Sequence, residues 1–170
     1  SNGSQILTGA CASTPLGAIP TVDNMISSLI THPASGSTID ASTNVNVVID
    51  VFNLETGFFN DPNTQYYLVP QTLNAAGIIQ GHSHVTVQQL ISKTTAPDPR
   101  TFAFFKGLDN SAADGHTLSV IVPNGTFKFD GLYRMCSMAG TDSHQPPIMP
   151  VAKCGSQDDC IRANVINSNV

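Results

Sequence analysis

Apolar and polar side chains alternate with a period of two through much of this chain. The pattern is clearest from Asn44 to Phe52, where Val45, Val47, Ile49 and Val51 share one face and Asn46, Val48, Asp50 and Phe52 the other. The same reading gives a strand over roughly 80–91, with Ser83, Val85 and Val87 on a face to be buried and His82, His84, Thr86 and Gln88 on a polar face. Further strands are expected at Gln65 to Val69, Thr117 to Val122, Thr126 to Phe129, Leu132 to Met138 and Ile161 to Ile166, with Phe102 to Lys106 either a short strand or a buried aromatic loop. Turn residues at Pro123-Asn124-Gly125 and Asp130-Gly131 make the stretch from 117 to 138 read as successive hairpins. Asp23 to Ile30 suits either one short helix capped by Asp23 or a strand, and residues 1–24 read as an irregular N-terminal strap. Seven or eight short strands and at most one short helix predict an all-β fold. Its form is a single-domain antiparallel β-sandwich over residues 1–170, immunoglobulin-like or jelly-roll.

Composition places that sandwich outside the cell. Charged residues make up 11% of the 170, the net charge is −5, Glu55 is the sole glutamate and tryptophan is absent. Amides and hydroxyls carry the polar surface, which suits a secreted or cell-wall protein. The few Lys and Arg are scattered singly, so nothing matches a phosphate backbone and nucleic-acid binding is disfavoured. No apolar run approaches the roughly 20 residues of a membrane helix. The chain starts at Ser1 without an apolar leader, as a mature or trimmed form would. Cys11, Cys136, Cys154 and Cys160 allow three pairings. Cys136 lies in one expected strand and Cys160 at the start of another, which favours Cys136–Cys160 and leaves Cys11–Cys154 to tie down the strap. Asn2-Gly3-Ser4 and Asn124-Gly125-Thr126 are glycosylation sequons.

The candidate chemistry centres on Gly81-His82-Ser83-His84-Val85. Side chains two apart on a strand stand about 6–7 Å apart, near enough for both imidazoles to reach one ion. His144, in Thr141-Asp142-Ser143-His144-Gln145-Pro146, is the best third ligand and Asp142 the next. An imidazole-rich set suits copper or zinc. Against that stands the plain reading of two solvated strand histidines and a proline-rich turn. A cupin would place Glu four residues after the second histidine, where this chain has Gln88, a weaker neutral ligand. Ser83 points to the valine face and Val85 replaces the glycine of a nucleophile elbow. Asp158 and Asp159 read as a solvated turn rather than a glycosidase pair, and His32 and His116 as loop residues.

Longer motifs carry a resemblance. Asn53-Leu54-Glu55-Thr56-Gly57, Pro70-Gln71-Thr72-Leu73-Asn74-Ala75, Gly81-His82-Ser83-His84-Val85, Phe102-Ala103-Phe104-Phe105-Lys106-Gly107-Leu108, Tyr133-Arg134-Met135-Cys136-Ser137 and Gly155-Ser156-Gln157-Asp158-Asp159-Cys160 resemble an uncharacterised family of secreted fungal proteins often mislabelled as a ribosomal protein. The resemblance implies fungal, extracellular origin and no particular activity. Two functions are therefore carried forward. One is a non-enzymatic cell-surface, matrix or binding protein, with Tyr66 and Tyr67 offered to a glycan or an extracellular protein partner. The other is a secreted copper- or zinc-dependent metalloenzyme centred on the H-x-H strand.

Overall fold

The structure is a computed structural model in which residues 1–167 are described. Nine strands form among the described residues: β1 (Ser27–His32), β2 (Thr38–Asp40), β3 (Val45–Phe52), β4 (Leu54–Thr56), β5 (Ile79–Gln89), β6 (Phe104–Leu108), β7 (Thr117–Val122), β8 (Gly131–Thr141) and β9 (Cys160–Ile166). The one helical piece among the described residues is a 3-10 turn at Val22–Asn24. Among the described residues no helix is long and apolar enough to cross a membrane.

The strands make an all-β sandwich of two sheets, ordered β1-β3-β7 and β2-β9-β8-β5-β4, with β6 also on β5. Pairing is antiparallel except at two short contacts, β2 with β9 and β4 with β5. The alternation seen in the sequence is the packing itself. Val45, Val47, Ile49 and Val51 of β3 face Ile79, Val85 and Val87 of β5, Tyr133 and Met135 of β8, and Ile161, Ala163 and Val165 of β9 in one buried cluster. Each buried Val, Ile or Met among them contributes about 1.5–3 kcal/mol by leaving water, so a one-residue slip of register would be heavily penalised.

Several expectations need correction. Gln65 to Val69 is not a strand. The Asp61 carboxylate accepts the Asn63 amide at 3.0 Å, and the amides of Thr64 and Gln65 turn back onto the Asp61 carbonyl, so the chain winds into consecutive turns. Thr126 to Phe129 is not a strand either. Phe127 is buried edge-on against Tyr133, whose hydroxyl donates to the Phe129 carbonyl, and the segment plugs the end of the sandwich. The expected hairpins from 117 to 138 do not form, because β7 pairs with β3 in one sheet and β8 with β5 and β9 in the other. Asp23 to Ile30 resolves as the 3-10 turn followed by β1.

Cys136 and Cys160 face each other across β8 and β9 and are bridged, as expected. The second bridge is absent: Cys11 and Cys154 are both free and exposed, each in an irregular segment outside the sheets. Asn2 and Asn124 are exposed. Asp158 and Asp159 are not a solvated turn. The Asp158 carboxylate accepts the Ser137 hydroxyl and the Ala139 amide, and Asp159 accepts the Ile30 amide, clamping the segment before β9 to both sheets.

Candidate metal centre

The outer face of β5 is covered rather than solvated. Ser83, Val85 and Val87 are buried inward as expected, but His82 on the opposite face is also fully buried and Gln88 is 4% exposed. Segments 57–71 and 141–148, with the N-terminal strap, lie over it. Gln71, 2% exposed, staples them together: its side-chain amide donates to the carbonyls of Ala18 and Ile148 and accepts the Ile148 amide. Buried Ser143 does the same locally, exchanging hydrogen bonds with the backbone of Val69 while its own carbonyl accepts the Tyr67 amide. The turn after β8 then holds His144 with a φ of 72°, a left-handed conformation that aims its ring back at β5.

These constraints bring His82, His84 and His144 together, each offering one nitrogen within 4.8 Å of the others. The ring centroids of His82 stand 4.7 Å from His84 and 4.6 Å from His144. Asp142, the fourth candidate, is outside the cluster; burial raises its carboxyl pKa and its carbonyl accepts the Asn60 amide. Gln88 is no ligand. Its oxygen accepts two bonds from Arg134, and its amide donates to the carbonyls of Asp98 and Thr101. His32 and His116 lie elsewhere, both exposed.

The outer nitrogens define the inner ones. His82 Nδ1 donates to the Phe58 carbonyl at 2.9 Å, His84 Nδ1 to the Met138 carbonyl at 3.0 Å and His144 Nε2 to the Asn60 carbonyl at 2.8 Å. A carbonyl can only accept, so each of those nitrogens carries its ring's hydrogen. In the neutral rings the lone pairs are therefore on His82 Nε2, His84 Nε2 and His144 Nδ1. Two of these, His82 Nε2 and His144 Nδ1, face each other at 3.1 Å. Two lone pairs at that distance repel unless a proton or a cation lies between them. Two nitrogens bound at about 2.0–2.1 Å to one zinc stand about 3.3 Å apart at the tetrahedral angle, close to this spacing. A carbonyl behind each ring is the usual support of a ligating histidine, fixing tautomer and direction.

Electrostatics favours the ligating form. Burial pushes the His82 pKa down to about 3, reinforced by neighbouring His84, and burial likewise lowers that of His84. Phe59 packs edge-on against both His82 and His144, and His84 lies beside Phe105. The cluster opens onto a cavity of about 360 Å³ whose walls include Phe59, Tyr66, Tyr67, Phe105 and Met138. Tyr66 and Tyr67 are stacked at 4.1 Å and half-buried, and burial raises the Tyr66 hydroxyl to about 12.

Two glycines were missed by the sequence reading. Gly140 on β8 stands opposite His82, and Gly107 on β6 stands opposite His84. Glycine inside a strand signals close approach of another group, and here the groups are the His82 imidazole at Gly140 and the Phe59 and His84 rings at Gly107. The carbonyls of Phe58, Asn60 and Met138 carry no side-chain signature and were not legible.

The chain matches the CLU5d N-terminal domain family over residues 28–166. It belongs to that family. A curated relative, Pathogenicity cluster 5 protein d of Colletotrichum graminicola, is 41% identical over 167 residues, covering 96% of this chain. The chain spans about a third (34%) of that fungal relative's length. Among solved structures, a Listeria innocua beta-glucosidase in complex with laminaribiose gives a TM-score of 0.39 at 10% identity, over 84% of this chain and 16% of that one. The same enzyme in complex with glucose gives 0.38 at 10% identity, over 83% and 16%. Likenesses this weak carry no argument about this CLU5d domain.

Proposed function

We propose that this CLU5d N-terminal domain is an extracellular metal-binding module of a longer fungal protein, holding one zinc or copper ion through His82, His84 and His144. The carrying observation is the set of three ring nitrogens converging within 4.8 Å while each ring's other nitrogen is held by a backbone carbonyl. Three protein ligands leave a coordination position for an outside donor, and the aromatic cavity is where that donor would enter. The role is binding: the ion and the aromatic walls together capture a partner, a glycan or a protein group, outside the cell. The Cys136–Cys160 bridge and the two exposed sequons support that location. The relative's name ties the longer protein to pathogenicity.

The open coordination position also favours a second reading, a copper- or zinc-dependent enzyme acting on a ligand in the same cavity. Elemental analysis of protein purified without chelator tests what both readings share. One equivalent of zinc or copper is expected, falling below a tenth of an equivalent in His84→Gln. A metal-free wild type whose melting temperature is unmoved by either ion would overturn the proposal.

A further inference from the structure

The outer face of the six-stranded sheet carries a second built feature, at the opposite end of β5 from the histidines. Gln88, Arg134 and Arg162 form one cross-strand row over β5, β8 and β9. Arg134 and Arg162 are therefore directly opposed, an arrangement that repels without a counter-charge. The protein does not provide one among the described residues. The flanking rows on this face are Thr86, Cys136 and Cys160 on one side and Leu90, Leu132 and Asn164 on the other, all uncharged. Beyond Arg162 the chain passes at Gly36, whose amide donates to the Arg162 carbonyl.

The loop over the row adds charge of the same sign. Arg134, Arg162 and Lys93 line one cavity of about 280 Å³ together with Ser92, Thr94 and Thr95. The loop's carboxylate, Asp98, is already taken by Arg100 through both oxygens. Gln88 orients Arg134 by accepting from Nε and Nη2, but as a neutral amide it cancels nothing. Three of the chain's seven Lys and Arg residues thus meet at one pocket in a molecule of net charge −5. They are scattered in the sequence, and strand register gathers them.

We infer that this pocket is an oxyanion site, binding a phosphate or sulfate group through Arg134, Arg162 and Lys93. A guanidinium fork matches two oxygens of such a group, a lysine supplies a point charge, and hydroxyl side chains accommodate the remaining oxygens. The group can come as the free ion or on a polysaccharide. The site is independent of the histidine cluster.

Calorimetric titration and melting curves test it, with millimolar sodium phosphate or sulfate compared with sodium chloride at equal ionic strength, and with a sulfated polysaccharide compared with its desulfated form. Saturable binding of an oxyanion is expected, about tenfold or more weaker in Arg162→Ala, weaker also in Lys93→Ala, and unchanged in His144→Asn. Binding of the sulfated polymer alone, with the same variant pattern, assigns the group to a polysaccharide; binding of the free ions assigns it to them. Oxyanions no better than chloride, or binding indifferent to Arg162→Ala, would overturn the inference.

Discussion

Gly140 stands directly across the β5–β8 pair from His82, and a methyl group on it would lie 3.3 Å from His82 Cε1 and Nε2. That is tight for a ring already fixed by the Phe58 carbonyl behind it. Gly140 does not occupy the left-handed region, so Gly140→Ala strains no backbone. It should instead push the ring away from the point where the three ring nitrogens converge, the place of the proposed ion, by a few tenths of an ångström. Metal affinity is expected to fall about tenfold or more, with a smaller loss of metal-free stability, about 1 kcal/mol from overpacking. Competition with a chromophoric chelator reads the first and urea unfolding the second. Equal chelator competition in both proteins would mean that the glycine has no part in the site.

This relation shows what the sequence could and could not convey. The periods of β3 and β5 were legible because burial on one face demands alternation, and the same alternation put His82 and His84 together. His144 was legible as a candidate in a loop able to fold over a neighbouring polar face. What draws the three rings into one cluster was not legible. The pairing of β8 with β5 and of β7 with β3 joins segments far apart in sequence, so the local turn signals at Asn124-Gly125 and Asp130-Gly131 suggested hairpins that the sheets do not contain. Burial of the histidine face follows from Gln71 and Ser143 tying down two remote segments, which no local pattern announces. Strand register likewise brings Arg134 opposite Arg162, 28 positions later in the chain.

Metal binding should appear as stability. An ion held only by the folded chain adds about 2.7 kcal/mol at 100 times its dissociation constant. For a domain of this size that raises the melting temperature by about 5–11 °C. His84→Gln should abolish the increment while leaving the metal-free protein close to wild type, since His84 is only partly buried. His82→Ala is expected to cost about 2–4 kcal/mol without any metal, because it empties a fully buried site and strands the Phe58 carbonyl. Melting curves of the three proteins with and without zinc or copper separate ligand loss from fold loss.

Stability should also depend on pH through His116, far from the cluster. Its Nδ1 lies 2.7 Å from the Asp50 carboxylate, and its Nε2 lies 3.6 Å from Asp114. The bond to Asp50, with the charge of Asp114 second, raises the His116 pKa above its ordinary value. Between that value, about 6.5, and the raised one, the folded chain holds a proton that the unfolded chain has released, so stability falls as pH rises through the interval. The contribution is fully present below about pH 6.5 and is small, because all three side chains are solvent-exposed and salt-screened. Urea midpoints of wild type and His116→Gln should differ slightly in mild acid and converge in mild alkali. The acid-side difference should shrink in high salt; a difference that grew with pH would reverse the assignment.

The cysteines give a test that needs no ligand. Cys136 and Cys160 are 24 residues apart and joined across adjacent strands, whereas Cys11 and Cys154 are free and exposed. Closing a loop of that length stabilises by about 3.5 kcal/mol in the chain-entropy treatment. The Cys136→Ser/Cys160→Ser protein should therefore melt about 7–14 °C lower than wild type. Cys11→Ser and Cys154→Ser should leave melting unchanged, since neither side chain is bonded or packed. Thiol labelling of the native, unreduced protein is expected to find two reactive groups per chain and to find four after reduction under denaturing conditions. Native protein with no reactive thiol would show that Cys11 and Cys154 are joined after all, tying the N-terminal strap to the segment before β9.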